Sequence, residues 1–130
     1  MDLVVDANIL FAALIKDSGT SDLLFKHTLY APEFLFEEFK KYQDEIKEKT
    51  HRSEESFNEL FELFKRNVIL IPEEEIAPFL EKAKKISPDP KDVPYFALCL
   101  KQNCAYWTND KKLKSQSSVK IFTTEDLIGM

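Results

Sequence analysis

The sequence is poor in the residues on which several common kinds of site depend. It holds two glycines, two cysteines and two histidines in 130 residues. So few glycines exclude a glycine-rich phosphate-binding loop, and Cys99 and Cys104 have neither the spacing nor the histidine neighbours of a zinc site. No apolar run approaches the roughly 20 residues that span a bilayer. We therefore expect a soluble, cytoplasmic protein with no membrane segment and no zinc centre.

The bulk composition fits one globular domain. A chain of 130 residues, 44% of them hydrophobic, is long enough for one real core, and we expect a single domain over residues 1–130. The net charge of −5 argues against a protein that coats nucleic acid, which would normally be basic. Five lysines nevertheless predict a local basic rim near the candidate site described below: Lys101, Lys111, Lys112, Lys114 and Lys120.

Strand-like and helix-like segments alternate along the chain. Short apolar runs predict strands at 3–5, 68–71, 105–107 and 119–122. Helical patterns run through Ile15, from Ser21 to about Leu29 after a break at Gly19, and in a two-helix hairpin over 33–66. Further helices are expected around 76–83, 93–100 and from Glu125. The alternation predicts a three-layer α/β/α domain with a parallel sheet of about four to five strands.

Four acidic residues stand at boundaries between these elements: Asp6, Glu38, Asp92 and Asp110. Asp6 and Asp110 each close an apolar strand, and the carboxyl ends of parallel strands meet at one crevice. Carboxylates gathered in one crevice repel one another unless a cation lies between them. Oxygen ligands without cysteine or histidine favour Mg²⁺ or Mn²⁺ over Zn²⁺.

Each carboxylate also has an ordinary structural interpretation. Asp6 and Asp110 can cap the helical segments that follow them, and Asp89 with Pro90 resembles an N-cap with proline at the first helical position. Asp92 would then lie near the helix dipole. Glu38 distinguishes the metal-site interpretation from the structural one better than the aspartates do. On a helical projection it falls at the margin of the buried stripe of its helix, whereas Glu37 points to solvent.

Taken together, the segments around these acids resemble the PIN-domain family of metal-dependent ribonucleases, which includes the VapC-type toxins. The matching segments are 3–10, 32–39, 89–100 and 106–110, in family order. The resemblance implies that Asp6, Glu38, Asp92 and Asp110 bind one or two Mg²⁺ or Mn²⁺ ions that activate water against a phosphodiester. It further implies that Asn8 and Thr108 orient carboxylates or water and that Asp89 is auxiliary. Asn109 departs from the pattern, since many relatives carry arginine there.

The resemblance implies an endoribonuclease acting on single-stranded or loop RNA, in one of two roles. A VapBC-type toxin would need an antitoxin protein as partner, whereas a standalone RNA-processing nuclease would not. The alternative is a catalytically inactive PIN-like module that binds RNA or protein. A homodimer is also expected, since Phe25, Phe34, Phe36 and the stripe from Phe57 to Phe64 offer more aromatic surface than one small core needs.

Overall fold

The computed structural model describes residues 1–15, 20–24 and 26–130, and within them the strands form one parallel sheet. The strands are β1 (Asp2–Val5), β2 (Thr28–Pro32), β3 (Val68–Ile71), β4 (Ala105–Trp107) and β5 (Ile121–Phe122). Their spatial order is β3-β2-β1-β4-β5. In the central register Val4 of β1 lies opposite Tyr30 of β2 on one side and Tyr106 of β4 on the other.

Helices connect the strands. Within the described ranges they are α1 (Ala7–Ile15), α2 (Thr20–Leu24), α3 (Phe34–Lys41), α4 (Gln43–Thr50), α5 (Glu54–Asn67), α6 (Glu73–Ile76), α7 (Leu80–Ile86), α8 (Val93–Gln102) and α9 (Thr124–Ile128). Short 3-10 helices lie at Ala77–Phe79, Pro90–Asp92 and Lys111–Ser115. Pro78 lies in the first of these 3-10 helices.

Two hydrophobic cores lie on opposite faces of the sheet. Leu3 and Val5 of β1 belong to one core, and Val4 between them belongs to the other, because successive side chains of a strand point to opposite faces. Phenylalanines of α3 and α5 fill the first core, and Phe96 of α8 and Tyr106 of β4 fill the second. The predicted three-layer α/β/α architecture is confirmed.

The expected helix from Ser21 to about Leu29 is wrong at its end, since Thr28–Pro32 forms strand β2. This strand pairs with both β1 and β3. The sequence of β2 gives little indication of a strand. Its five residues are held extended by pairing with the two neighbouring strands rather than by their own local preference. The break expected at Gly19 lies outside the described residues.

The first arm of the two-helix hairpin predicted over 33–66 is not one continuous helix but is divided into α3 and α4. Pro32 ends β2, and the helix is interrupted at Tyr42, whose backbone angles are φ −102° and ψ 13°. The second arm of the predicted hairpin is α5, and Ser53 caps it by accepting a hydrogen bond from the Ser56 backbone N–H at 3.1 Å. A helical hairpin is present, but its first arm consists of α3 and α4.

The described aromatic residues that suggested a homodimer do not form an exposed surface, and the homodimer itself stays a prediction. Phe36, Phe57, Phe61 and Phe64 are buried in the core between the sheet and α5, Phe34 is partly buried, and the side chain of Phe25 lies outside the described residues. Among the helices of the described ranges, none has the length and apolar character needed to cross a membrane.

Candidate metal centre

The carboxyl edge of the sheet opens into an acidic cavity of about 730 Å³. Asp6 follows β1, Asp110 follows the neighbouring strand β4, and Asp92 immediately precedes α8. The topology therefore brings together residues that are far apart in sequence, at the place where open α/β sheets bind ligands. The cavity is lined by the following residues: Asp6, Ala7, Asn8, Phe11, Phe34, Glu38, Tyr42, Glu45, Ile46, Lys49, Asp89, Lys91, Asp92, Tyr95, Tyr106 and Asp110.

Three of the aspartates in this cavity form a compact oxygen cluster. One carboxylate oxygen from each of Asp89, Asp92 and Asp110 lies within 4.8 Å of the other two. The ion pairs between described side chains involve none of these three aspartates, nor Asp6 or Glu38. Clustered carboxylates without a counter-cation are the ligand set that hard divalent ions prefer, so the residues fit Mg²⁺ or Mn²⁺.

Asp6 is buried and both of its carboxylate oxygens accept hydrogen bonds. The Thr108 hydroxyl donates to Oδ2 at 2.7 Å, and the Asn8 backbone N–H donates to Oδ1. Burial raises the pKa of Asp6; these hydrogen bonds oppose the rise, and the charge of Asp110 adds to it. Thr108 Oγ1 also accepts from the Asp110 backbone N–H at 3.2 Å. Thr108 therefore links the two strand-end aspartates, and the orienting role that the family resemblance implies for it stays a prediction.

Asp92 is held by a tyrosine from the sheet. The hydroxyl of Tyr106, a fully buried residue of β4, donates to Asp92 Oδ1 at 2.8 Å. Burial raises the pKa of Asp92, the Tyr106 hydrogen bond lowers it, and the charges of Asp6, Asp89 and Asp110 raise it. Asp92 lies at the amino end of α8 but makes no side-chain capping hydrogen bond there.

Asp89 and Asp110 do cap helices. Asp89 Oδ1 accepts from the Lys91 backbone N–H at 2.9 Å, and Asp110 Oδ1 accepts from the Lys112 backbone N–H at 3.1 Å. The interpretation of these two aspartates as helix caps is therefore correct. A capping carboxylate has further lone pairs available for a cation, so capping fixes the orientation of each carboxylate without excluding a metal role.

The structure separates Glu38 from Glu37 as the helical projection predicted. Both residues are exposed on α3, yet Glu38 lines the cavity and Glu37 does not. Glu38 lies outside the oxygen cluster of Asp89, Asp92 and Asp110 found among the described residues. The charge of Glu38 nonetheless acts on a residue of the cavity. Burial raises the pKa of Tyr95, and the negative charges of Asp6, Glu38 and Asp92 raise it further.

Two tyrosines of the cavity were missed from the sequence. Tyr95 and Tyr106 stack with ring centroids 5.5 Å apart, and both line the cavity. The apolar run at 105–107 predicts only that Tyr106 belongs to a strand. A signal did exist: a tyrosine in a buried strand needs a partner for its hydroxyl, and carboxylates were already predicted at that end of the strand.

The lysines predicted to form a basic rim around the site are the wrong ones. None of the five C-terminal lysines lines the cavity as the described residues define it, whereas Lys49 and Lys91 do. Lys101 pairs with Glu75 at 3.8 Å, and Lys114 pairs with Asp126 at 2.7 Å.

Asn109, the position that departs from the family pattern, has a structural partner. Its side-chain Oδ1 accepts a hydrogen bond from the Thr124 backbone N–H at 2.8 Å. The Thr124 hydroxyl in turn accepts from the Trp107 indole N–H at 3.0 Å. Asn109 therefore ties the end of β4 to the start of α9.

Fold and cavity together define an open-sheet α/β protein with an acidic crevice at the carboxyl edge of its sheet. A family model described as PIN domain matches residues 4–128, and the chain belongs to the PIN-domain family. The expected family and fold class are thus confirmed.

A solved structure shares this fold. It is a chain of the crystal structure of VapBC2 from Rickettsia felis bound to a DNA fragment from their promoter. The TM-score is 0.68 at 16% sequence identity, over 95% of this chain and 98% of that one. No curated protein matches the chain.

Proposed function

We propose that this protein is a Mg²⁺- or Mn²⁺-dependent endoribonuclease that hydrolyses phosphodiester bonds of single-stranded or loop RNA. The observation that carries the proposal is the oxygen cluster of Asp89, Asp92 and Asp110, which lies within 4.8 Å and has no ion-pair partner among the described residues. Membership of the PIN-domain family, a family of nucleases, supports the same conclusion.

In the proposed site, Asp89, Asp92 and Asp110 hold the ion together with Asp6. A bound divalent ion of this kind lowers the pKa of a water molecule and neutralises charge on the leaving oxygen. Glu38, which the family resemblance implied as a further metal-site carboxylate, lines the same cavity outside the oxygen cluster, and its proposed role is to bind the ion or to orient water. Thr108 and Tyr106 fix the carboxylates of Asp6 and Asp92 through their hydroxyl groups, and Asn8 supplies a backbone N–H to Asp6.

The test begins with Mn²⁺ binding measured by calorimetry. The wild-type protein is compared with the double variant Asp6→Asn/Asp92→Asn and with Asp2→Asn. Asp2 is an exposed aspartate at the opposite end of β1, so it controls for loss of one carboxylate. We expect saturable binding in the wild type and in Asp2→Asn, and loss of binding in the double variant. Equal binding by all three proteins would refute the site.

Cleavage of labelled single-stranded RNA in Mn²⁺ then distinguishes a nuclease from an inactive module. We expect hydrolysis by the wild type, none after chelation, and none by a correctly folded Asp92→Asn protein. Saturable Mn²⁺ binding without any cleavage would favour the alternative, a PIN-like module that binds RNA or protein.

We further propose that the protein acts as the toxin of a VapBC-type pair, with an antitoxin protein as its partner. The fold it shares with a chain of the VapBC2 structure supports this role over that of a standalone nuclease. A short reading frame next to its gene should encode the partner. The test is whether the co-expressed product purifies with this protein and inhibits RNA cleavage; a neighbouring product that does neither would favour the standalone nuclease.

A further inference from the structure

The cavity extends well beyond the oxygen cluster. A volume of about 730 Å³ is in the range of pockets that enclose a whole small molecule, and far exceeds the space that an ion needs. One wall of the cavity comes from α1 and from α3 and α4, and it carries Phe11, Tyr42 and Ile46 as well as the carboxylates of Glu38 and Glu45. An acidic centre and an aromatic wall therefore share one cavity.

Tyr42 is the prominent group of that wall. It is the residue at which the helix breaks between α3 and α4, and it is 41% exposed although its side chain is large and aromatic. Phe11 packs edge-on against its ring, with centroids 6.0 Å apart and planes at 82°. The Phe11 ring is itself supported by Phe39 at 4.5 Å. The Tyr42 ring is thus held from one side by the core and presented to the cavity.

Positive charge accompanies this ring. The Lys41 ammonium lies 5.7 Å from the Tyr42 ring centroid, and Lys91 lines the same cavity beside the aspartates. Neither lysine takes part in the ion pairs found between described side chains. Lys41 is not among the residues that line the cavity, whereas the carboxylates of Glu38 and Glu45 are, so the positive charge for a ligand comes from Lys91 and from the proposed metal ion. A ligand that fits the cavity therefore needs an aromatic face for Tyr42 and negative charge for Lys91 and the ion.

We propose that Tyr42 is a stacking platform for one unpaired nucleobase of the RNA strand whose phosphodiester lies at the acidic centre. The inference rests on the proposed nuclease function and adds to it a subsite that binds the base. A nucleotide joins a flat aromatic group to a phosphate, which matches this cavity, whereas an apolar protein side chain would leave Lys91 and the proposed metal ion without a partner. Stacking is tolerant of base identity because every base has a π-face, so the subsite selects single strands rather than a sequence.

The test compares Tyr42→Phe, Tyr42→Leu and Tyr42→Ala in steady-state cleavage of single-stranded RNA with Mn²⁺. Phenylalanine keeps the aromatic face, and leucine keeps apolar bulk against Phe11 without that face. We expect KM to stay near the wild-type value in Tyr42→Phe and to rise by about tenfold to a hundredfold in Tyr42→Leu and Tyr42→Ala. Mn²⁺ affinity should be the same in all of them. Ile69→Ala, which removes a 46% exposed side chain outside the cavity, should not change KM.

A Tyr42→Leu protein with the KM of Tyr42→Phe would overturn the subsite, as would an unchanged KM in Tyr42→Ala. If the wild type cleaves no RNA, the nuclease proposal fails, but the proposed base-binding subsite can still be tested. The test is then RNA binding instead of cleavage. Fluorescence anisotropy of a labelled single-stranded RNA should then show binding at least about tenfold weaker in Tyr42→Leu than in Tyr42→Phe. Equal affinity, or no RNA binding by the wild type, would overturn it.

Discussion

The Tyr106 hydroxyl donates a hydrogen bond of 2.8 Å to Asp92 Oδ1, joining strand β4 to the amino end of α8 beneath the acidic cavity. Tyr106 is fully buried, and its ring is fixed by stacking on Tyr95 and by an edge contact with Phe96. Because the ring cannot easily move, it fixes the Asp92 carboxylate. The bond also favours the ionised carboxylate, since it lowers a pKa that burial raises.

Replacing Tyr106 with phenylalanine should therefore weaken Mn²⁺ binding while leaving the fold intact. A hydrogen bond to a charged group contributes about 1.5–3 kcal/mol, which corresponds to a roughly tenfold or greater loss of affinity. Calorimetric titration of Tyr106→Phe with Mn²⁺ measures this loss. The matched control is Tyr95→Phe, which removes a hydroxyl from the neighbouring stacked ring that makes no hydrogen bond to Asp92. Equal affinity in the two variants would show that the Tyr106 hydroxyl does not position Asp92.

Asp92→Asn should make the metal-free protein more stable at neutral pH. The pKa of Asp92 is raised in the folded state, chiefly by burial, so the folded protein holds this proton more tightly than the unfolded chain. The free energy of unfolding therefore falls as pH rises from the ordinary value of 3.8 through the folded pKa, and it stays lower above that pH. Asparagine removes this penalty and can still accept the Tyr106 hydrogen bond.

Thermal unfolding without metal checks the direction of this effect. A melting temperature higher by a few degrees is expected, since about 1 kcal/mol moves the transition by roughly 4 °C in a domain of this size. Adding Mn²⁺ should raise the melting temperature of the wild type but not that of Asp92→Asn. A metal-free variant that melts below the wild type would contradict the account of Asp92.

Thr108 should set the pH at which the protein begins to bind metal. Protonation of Asp6 competes with a cation, and the Thr108 hydrogen bond opposes the burial that raises the pKa of Asp6. Thr108→Val keeps the shape, removes the hydroxyl and should raise that pKa further, because the hydrogen bond that opposes the effect of burial is lost. Mn²⁺ binding, followed in buffers from mildly acidic to mildly alkaline pH, should then require a higher pH. Thr108→Ser keeps the hydroxyl and should follow the wild-type profile; identical profiles for all three proteins would contradict the role of the bond.

Much of the fold was readable from the sequence because most elements carry their own local signal. The apolar runs of β1, β3 and β4 and the cap at Ser53 are visible without tertiary information. Thr123 caps α9 in a capping box with Asp126, which is likewise a local feature of the sequence. Strand β2 could not be read in this way, because what keeps Thr28–Pro32 extended is its position between two other strands.

The candidate site was predictable in its residue types and less so in its geometry. Strand ends can be located from sequence, so Asp6 and Asp110 could be brought to one edge of the sheet. The position of Asp89 relative to Asp92 depends on the 3-10 turn at Pro90–Asp92, and no periodicity reveals such a turn. The Tyr106 contact spans 14 residues in sequence and depends on the packing of α8 against the sheet.

The geometry of the site predicts that Asp89 contributes more to metal binding than Glu38 does, and this order can be measured. Sequence similarity to the family implied a metal-site role for Glu38 and an auxiliary one for Asp89, yet Asp89 lies in the oxygen cluster with Asp92 and Asp110, and Glu38 does not. Asp89→Asn should therefore lower Mn²⁺ affinity by about tenfold or more, while Glu38→Gln lowers it less. Asparagine is as good an N-cap as aspartate, so the turn at Pro90–Asp92 should persist. Calorimetry on both variants decides the order, and a larger loss in Glu38→Gln would mean that binding of the ion draws Glu38 into the cluster.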